Sequence, residues 1–342
     1  MDIGKLIINV ALLLIMAIPG IILKKADLVP DGFGKGLSNL VLYIAQPTLI
    51  VYSYLDCTAQ FADIWHNIVL IFVFSIVAHL IFFGASMIFF KRATDARRRV
   101  LRFATIFSNA AFMGIPLIDV MYGSEATIYA SIYNITFNLF LWTLGVHLCT
   151  HERIDRDGDG DVDIADDIIA IKQRASEVSW TRVLTHPITI ASAIGVVCLV
   201  GGVNYDSVGG VVMDVIESAM GMLKALVAPL SMVIIGIRLA EMKFKGILKD
   251  YNMYIFLALR HFLLPLGVLG VVLLIGLVTP ISALVVTVLM MLVSTPAATS
   301  ATMFAEKYDC DAVYVSRLVA ISTILSIVTM PMVISIAKAL VN

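Results

Sequence analysis

The sequence predicts an all-α polytopic membrane protein: ten transmembrane helices forming two inverted five-helix repeats. Three observations predict it. Of the 342 residues, 60% are hydrophobic and 14% charged, with a mean hydropathy of +0.96; an ordinary soluble domain is about a quarter charged. Ten apolar runs reach the length of about 20 residues that a spanning helix needs. Among the loops between them, Lys and Arg fall only in alternate ones.

The runs lie at roughly 5–23, 36–55, 66–90, 100–121, 126–148, 186–203, 211–239, 251–276, 281–305 and 312–338. The first follows a single lysine, Lys5, with no small-x-small pattern after it, and reads as a retained span. The second and seventh carry a mid-helix proline, Gln46-Pro47 and Ala228-Pro229. The seventh begins amphipathically, with Asp214, Glu217 and Lys224 among apolar residues, as at an interface. The loops 56–65, 122–125, 204–210 and 277–280 hold no Lys or Arg, whereas Lys24, Arg97–Arg99, Arg153, Lys243 and Lys307 mark the other set. The positive-inside rule makes the basic set cytoplasmic. The chain is then expected in the plasma membrane with both termini extracytoplasmic. It divides into a first repeat at 1–149, a cytoplasmic linker at 150–185 and a second repeat at 186–342. Five spans is an odd number, so the second half enters from the opposite side.

The fourth and ninth runs are predicted to break. Ser108-Asn109-Ala110-Ala111-Phe112-Met113-Gly114-Ile115-Pro116 and Ser294-Thr295-Pro296-Ala297-Ala298-Thr299-Ser300 interrupt them near their midpoints. Proline lacks an N–H and clashes with the preceding turn, while Gly and Asn tolerate non-helical backbone. Broken backbone at bilayer depth survives only where protein or a wet cavity satisfies it. Asn109 to Tyr122 is the same separation as Thr295 to Tyr308, which supports an internal repeat.

These residues resemble the auxin efflux carrier family. The pattern Asn, Gly-x-Pro-Leu, Tyr-Gly stands here as Asn109, Gly114-Ile115-Pro116-Leu117 and Tyr122-Gly123. Pro296 through Phe304-Ala305-Glu306-Lys307-Tyr308 is similar to the family's ninth-span stretch, and His186-Pro187 with Gly195 to its Asn-Pro…Gly opening. The resemblance covers nearly the whole chain outside 150–183. It implies ten spans in two inverted repeats, a scaffold and a transport domain, crossing broken helices, and a fold like that of bile-acid symporters and sodium–proton antiporters. Where plant members have a second ninth-span proline, this chain has about Ala301. The break there is either milder or rests on Pro296 alone.

The implied activity is secondary transport of a small organic anion, such as malate, malonate or an auxin-like acid, by alternating access. The restarted half-helices offer amide N–H groups carrying about half a positive charge, a fitting berth for a carboxylate. The expected site comprises Asn109, Gly114, Pro116, Ser294, Thr295 and Pro296, joined by Gln46, Asn138 and Arg260. Asn134 and Asn138, one helical turn apart, read as interhelical hydrogen-bonding residues ahead of cavity-lining ones, and Ser108, Ser300 and Thr302 as packing residues. Asp119 is a candidate proton or cation partner, or lies near the outer interface.

Asp155-Arg156-Asp157-Gly158-Asp159-Gly160-Asp161-Val162-Asp163-Ile164-Ala165-Asp166 matches a dockerin-like or EF-hand calcium loop. Asp155, Asp157, Asp159, Asp161 (through its carbonyl) and Asp166 would hold Ca2+ or Mg2+. No cofactor is expected for transport itself, and coupling to H+ or Na+ is open. Cys57, Cys149, Cys198 and Cys310 form no metal spacing or disulfide framework. Asp119 is the one deep aspartate, so no paired groups for an intramembrane enzyme are expected. The expected partners are an organic anion and membrane lipid, with a homodimer through the scaffold spans and no nucleic acid. The competing reading is a calcium-responsive receptor or scaffold without transport.

Overall fold

Continuous apolar runs without period-two alternation fold as helices, and backbone groups in lipid require it. The computed structural model describes residues 8, 11–12, 15–90, 93–149, 180–241 and 249–341. Helix α1 is Ile18–Lys25. Helix α2 (Phe33–Leu40) continues through a π-helical turn at Val41–Ala45 into α3 (Gln46–Asp56). Helix α4 spans Phe61–Ile88, and α5, Asp95–Ile106, stops in mid-run. A π turn at Ala110–Gly114 then leads into α6 (Ile115–Phe140), and another at Leu141–Gly145 into α7 (Val146–Cys149). Helices α8 (Trp180–Leu184), α9 (Pro187–Val200) and α10 (Tyr205–Val208) precede the tandem pair α11 (Val211–Ala225) and α12 (Val227–Ala240). Helix α13 (Tyr251–Ala258) passes through a π turn at Leu259–Leu263 into α14 (Leu264–Gly276). The last three are α15 (Ala283–Ser294), α16 (Ser300–Lys307) and α17 (Ala312–Val341).

Among the described residues, five continuous stretches are long and apolar enough to cross a membrane: Phe61–Ile88, Ala110–Cys149, Val211–Ala240, Tyr251–Gly276 and Ala312–Val341. The chain is thus a helical, multi-pass membrane protein. Pro187–Val200 and Ala283–Ser294 are apolar but shorter. The fourth and ninth runs are each interrupted, and the first lies partly outside the described residues. The expected loop at 122–125 shrinks to a kink at Gly123, whose φ of +74° a side chain would resist. Helix α11 buries none of its residues, in keeping with its amphipathic start.

Three π turns share one cause. Each ends two residues before a proline: Ala45 before Pro47, Gly114 before Pro116 and Leu263 before Pro265. A proline ring clashes with the carbonyl four residues back and offers no N–H. One wider turn ahead of it relieves the clash without ending the helix.

Two helix contacts bring backbones together. Helix α12 packs on α1, and α9 on α3. A Cβ on Gly236 would lie 1.9 Å from the Ala17 carbonyl oxygen, and one on Gly20 2.1 Å from that of Val233. Glycine is required here for proximity. At the second contact a Cβ on Gly195 would overlap the Tyr54 ring at 2.1 Å. Small residues are what let membrane helices approach. Gly236→Ala should therefore destabilise the detergent-solubilised protein by about 1–3 kcal/mol, the usual cost of overpacking. Gly267→Ala, where a Cβ meets nothing within 4 Å, should leave the melting temperature unchanged in the same thermal-shift measurement.

Candidate functional site

The two interruptions meet. The Asn109 N–H donates to the Pro296 carbonyl at 2.8 Å, and the Ala298 N–H to the Phe107 carbonyl at 2.9 Å. Ser108 and Ala297 thereby form an isolated antiparallel bridge. The Ala297 N–H donates to Ser322 Oγ on α17 at 3.0 Å. Thr295 is extended (φ −61°, ψ 153°), as suits a residue before proline. The extended pieces are thus paired with each other and with one side chain. No second proline is needed near Ala301.

Arg260 occupies the other side of this crossing. It is fully buried, and its guanidinium donates to the Thr105 carbonyl at 3.2 Å and the Thr295 carbonyl at 2.8 Å. Those carbonyls end α5 and α15, where helix dipoles leave negative charge and unpaired acceptors. Phe82 lies against the guanidinium at 5.1 Å. No carboxylate pairs with Arg260 among the described residues. One cation therefore braces both broken helices.

The restarted halves point the opposite way, into a cavity of about 170 Å³. Asn109 and Ala111 line it from one tip, and Ala298, Thr299 and Ser300 from the other. The first N–H groups after each break have no intrahelical partner. The side chains deepen this polarity: among the described residues, Asn109 Nδ2, Ser300 Oγ and both amide atoms of Asn134 are buried without a hydrogen-bond partner. Leaving such atoms unpaired costs about 1–3 kcal/mol each, so they are available to hydrogen-bond water or a solute in the cavity. Asn138 lines it too, 3.3 Å from His186 Nδ1. Aromatic walls come from Phe112, Phe137, Trp142 and Phe304. The facing wall is Lys35, Ser38 and Asn39 of α2 with Arg238 of α12. The Arg238 guanidinium reaches Glu241 only at 3.4 Å.

Of the nine residues expected at the site, Asn109 and Asn138 line this cavity. Thr295 and Pro296 build the crossing behind it. Gly114 packs where a Cβ would meet Leu292 at 2.8 Å. Ser294 is buried with an unpaired Oγ, and the Gln46 amide holds the Ala111 carbonyl at 2.6 Å. Arg260 stands apart from the cavity, on the backbone. Pro116 lines a separate cavity of about 320 Å³ with Tyr52, Asp119 and Lys224. There Asp119 and Lys224 form an ion pair at 3.1 Å between α6 and α11. Ser108 and Ser300, expected to pack helices, are among the residues lining the first cavity. The sequence reading missed Lys35, Ser38, Asn39, His186 and Arg238. The i, i+3, i+4 spacing of Lys35, Ser38 and Asn39 at the head of an apolar run was a usable signal. The acidic loop, with Asp155, Asp157, Asp159, Asp161 and Asp166, lies outside the described residues.

A family model described as a membrane transport protein matches residues 5–334. No curated protein matches the chain. Arg260→Met should lower stability by about 3 kcal/mol or more, since two hydrogen bonds from a charged donor are worth about 1.5–3 kcal/mol each. The melting temperature reads this directly; a residue that only bound substrate would lower affinity and leave it in place.

Proposed function

Since the chain belongs to the auxin efflux carrier family of membrane transport proteins, we propose that it is a secondary carrier for a small organic carboxylate. The observation that carries this reading is the cavity at the crossing. Two half-helix tips and the orphaned amides of Asn109 and Asn134 face Lys35 and Arg238 across it. Amide donors, Lys35 and an Arg238 whose partner Glu241 lies outside the cavity lining suit an anion. The neutral donors fix no further charge in the membrane, so release is not blocked by a deep ion pair. Malate, malonate and indole-acetate are the candidate substrates; the aromatic wall would accept an apolar body.

The proposed architecture is ten spans in two inverted repeats, in the plasma membrane. Both termini lie outside and 150–185 inside. The packing of α1 on α12 and of α3 on α9 supports this, because each pair joins the first span of one half to the second span of the other. Those helices would form the scaffold, and α4–α7 with α13–α17 the moving unit. The cavities of about 170 and 320 Å³ flank the boundary between the two units. In this scheme the Lys35 and Arg238 cavity opens to the cytoplasm, while Asp119–Lys224 closes the outer side. Alternating access then breaks that ion pair as the tips slide.

In proteoliposomes, uptake or efflux of a radiolabelled carboxylate should be seen. Asn109→Ala and Arg238→Gln should each weaken it about ten- to a hundredfold, the loss of one hydrogen bond to a charged group. Absence of flux for every carboxylate tried, at two pH values and with or without sodium, would sink the proposal. We also propose that the loop at 155–166 binds Ca2+, supported by its ligand spacing. Isothermal titration should give one site per chain, and Asp155→Asn with Asp159→Asn should remove it.

A further inference from the structure

We propose that His186 is the proton-binding group of the anion cavity, so that one proton enters with each carboxylate. This rests on the carrier reading above. His186 sits at the N-cap of α9 in extended backbone (φ −64°, ψ 130°), ahead of Pro187. It lines the cavity, with Nδ1 at 3.3 Å from the Asn138 amide and, among the described residues, no hydrogen bond at Nε2. The two fully buried imidazoles differ. His261 is held at both nitrogens, by Thr329 and Ser322. His79 bonds the Ser75 carbonyl and stacks on Phe140 at 5.0 Å. Neither lines the cavity.

The charges around His186 give the coupling its sign. Helix α2 contributes Lys35, and α12 contributes Arg238, which is ion-paired with Glu241 at 3.4 Å. Helix α6 and the π turn after it present Asn134, Asn138 and Trp142, none of which titrates. Helix α3 meets α9 through Tyr54, whose hydroxyl is paired with Ser131. The turn at Val41–Ala45 carries Tyr43, which is exposed. The described side chains of α8 hold no ionisable group. No carboxylate lines the cavity among the described residues.

An imidazolium here would be a charge drawn out of water, with no carboxylate in the cavity lining among the described residues to offset it. A bound carboxylate supplies the missing counter-charge, so the proton and the anion favour each other's binding, by reciprocity to the same degree. Imidazole is the side chain whose ordinary titration lies near physiological pH. Asn138 serves both states: its Nδ2 donates to a bare Nδ1, and its Oδ1, after an amide flip, accepts from a protonated one.

The test is calorimetric titration of the purified protein with malate and with indole-acetate, from about pH 6 to pH 8, in two buffers of different ionisation enthalpy. Wild type should take up about one proton per anion bound, and its Kd should rise by up to about tenfold per pH unit over the upper part of this range. His186→Asn should still bind, with little pH dependence and little proton uptake. His186→Gln provides the same readout if the Asn variant folds poorly. Binding by wild type without proton uptake would overturn the inference and leave the carrier standing, as would pH dependence persisting in the variants. Failure of wild type to bind either probe at any pH would instead remove the carrier reading, and this inference with it.

Discussion

The structure depends on one constraint: backbone amides and carbonyls that leave a helix inside a bilayer must find partners in the protein. Two interrupted helices solve this jointly. Each lends the other one N–H···O bond at the crossing, through Asn109 to Pro296 and Ala298 to Phe107. Ser322 takes the Ala297 N–H, and Arg260 takes the last carbonyls of α5 and α15. Neither interruption would be tolerable alone.

The crossing also separates charge by direction. Helix C-termini converge on Arg260, so the negative poles are neutralised in the interior. Helix N-termini converge on the cavity, so the positive poles remain available to a ligand. A buried cation without a carboxylate is ordinarily expensive. Here the two carbonyl termini take the carboxylate's place, and the same arrangement leaves the opposite side electropositive.

Proline shapes the helices without ending them. The π turns ahead of Pro47, Pro116 and Pro265 each add a residue to one turn, which rotates the succeeding turns around the helix axis. One of these turns holds Arg260 and His261 at the crossing, and another opens at the Asn109 tip. Gly20, Gly195 and Gly236 let the helices facing the tips close ranks, so the crossing meets a firm wall.

The sequence by itself determined the helical membrane class, the places of the two breaks and the family. Composition, run length and proline chemistry are local properties, and they survive without knowledge of neighbours. It also marked Asn109, Thr295 and Pro296, because polar or helix-breaking residues inside apolar runs are conspicuous. Only the tertiary structure decided what those residues touch. Arg260 was visible as a buried charge, but whether it met a substrate or a helix end depended on which carbonyls lay within 3.2 Å. Lys35, His186 and Arg238 lie near the ends of runs, where charged and polar residues are commonplace. They gain meaning only because α2, α9 and α12 face the tips across a cavity. Periodicity reports which side of a helix is apolar, and it carries no record of which distant helix stands opposite.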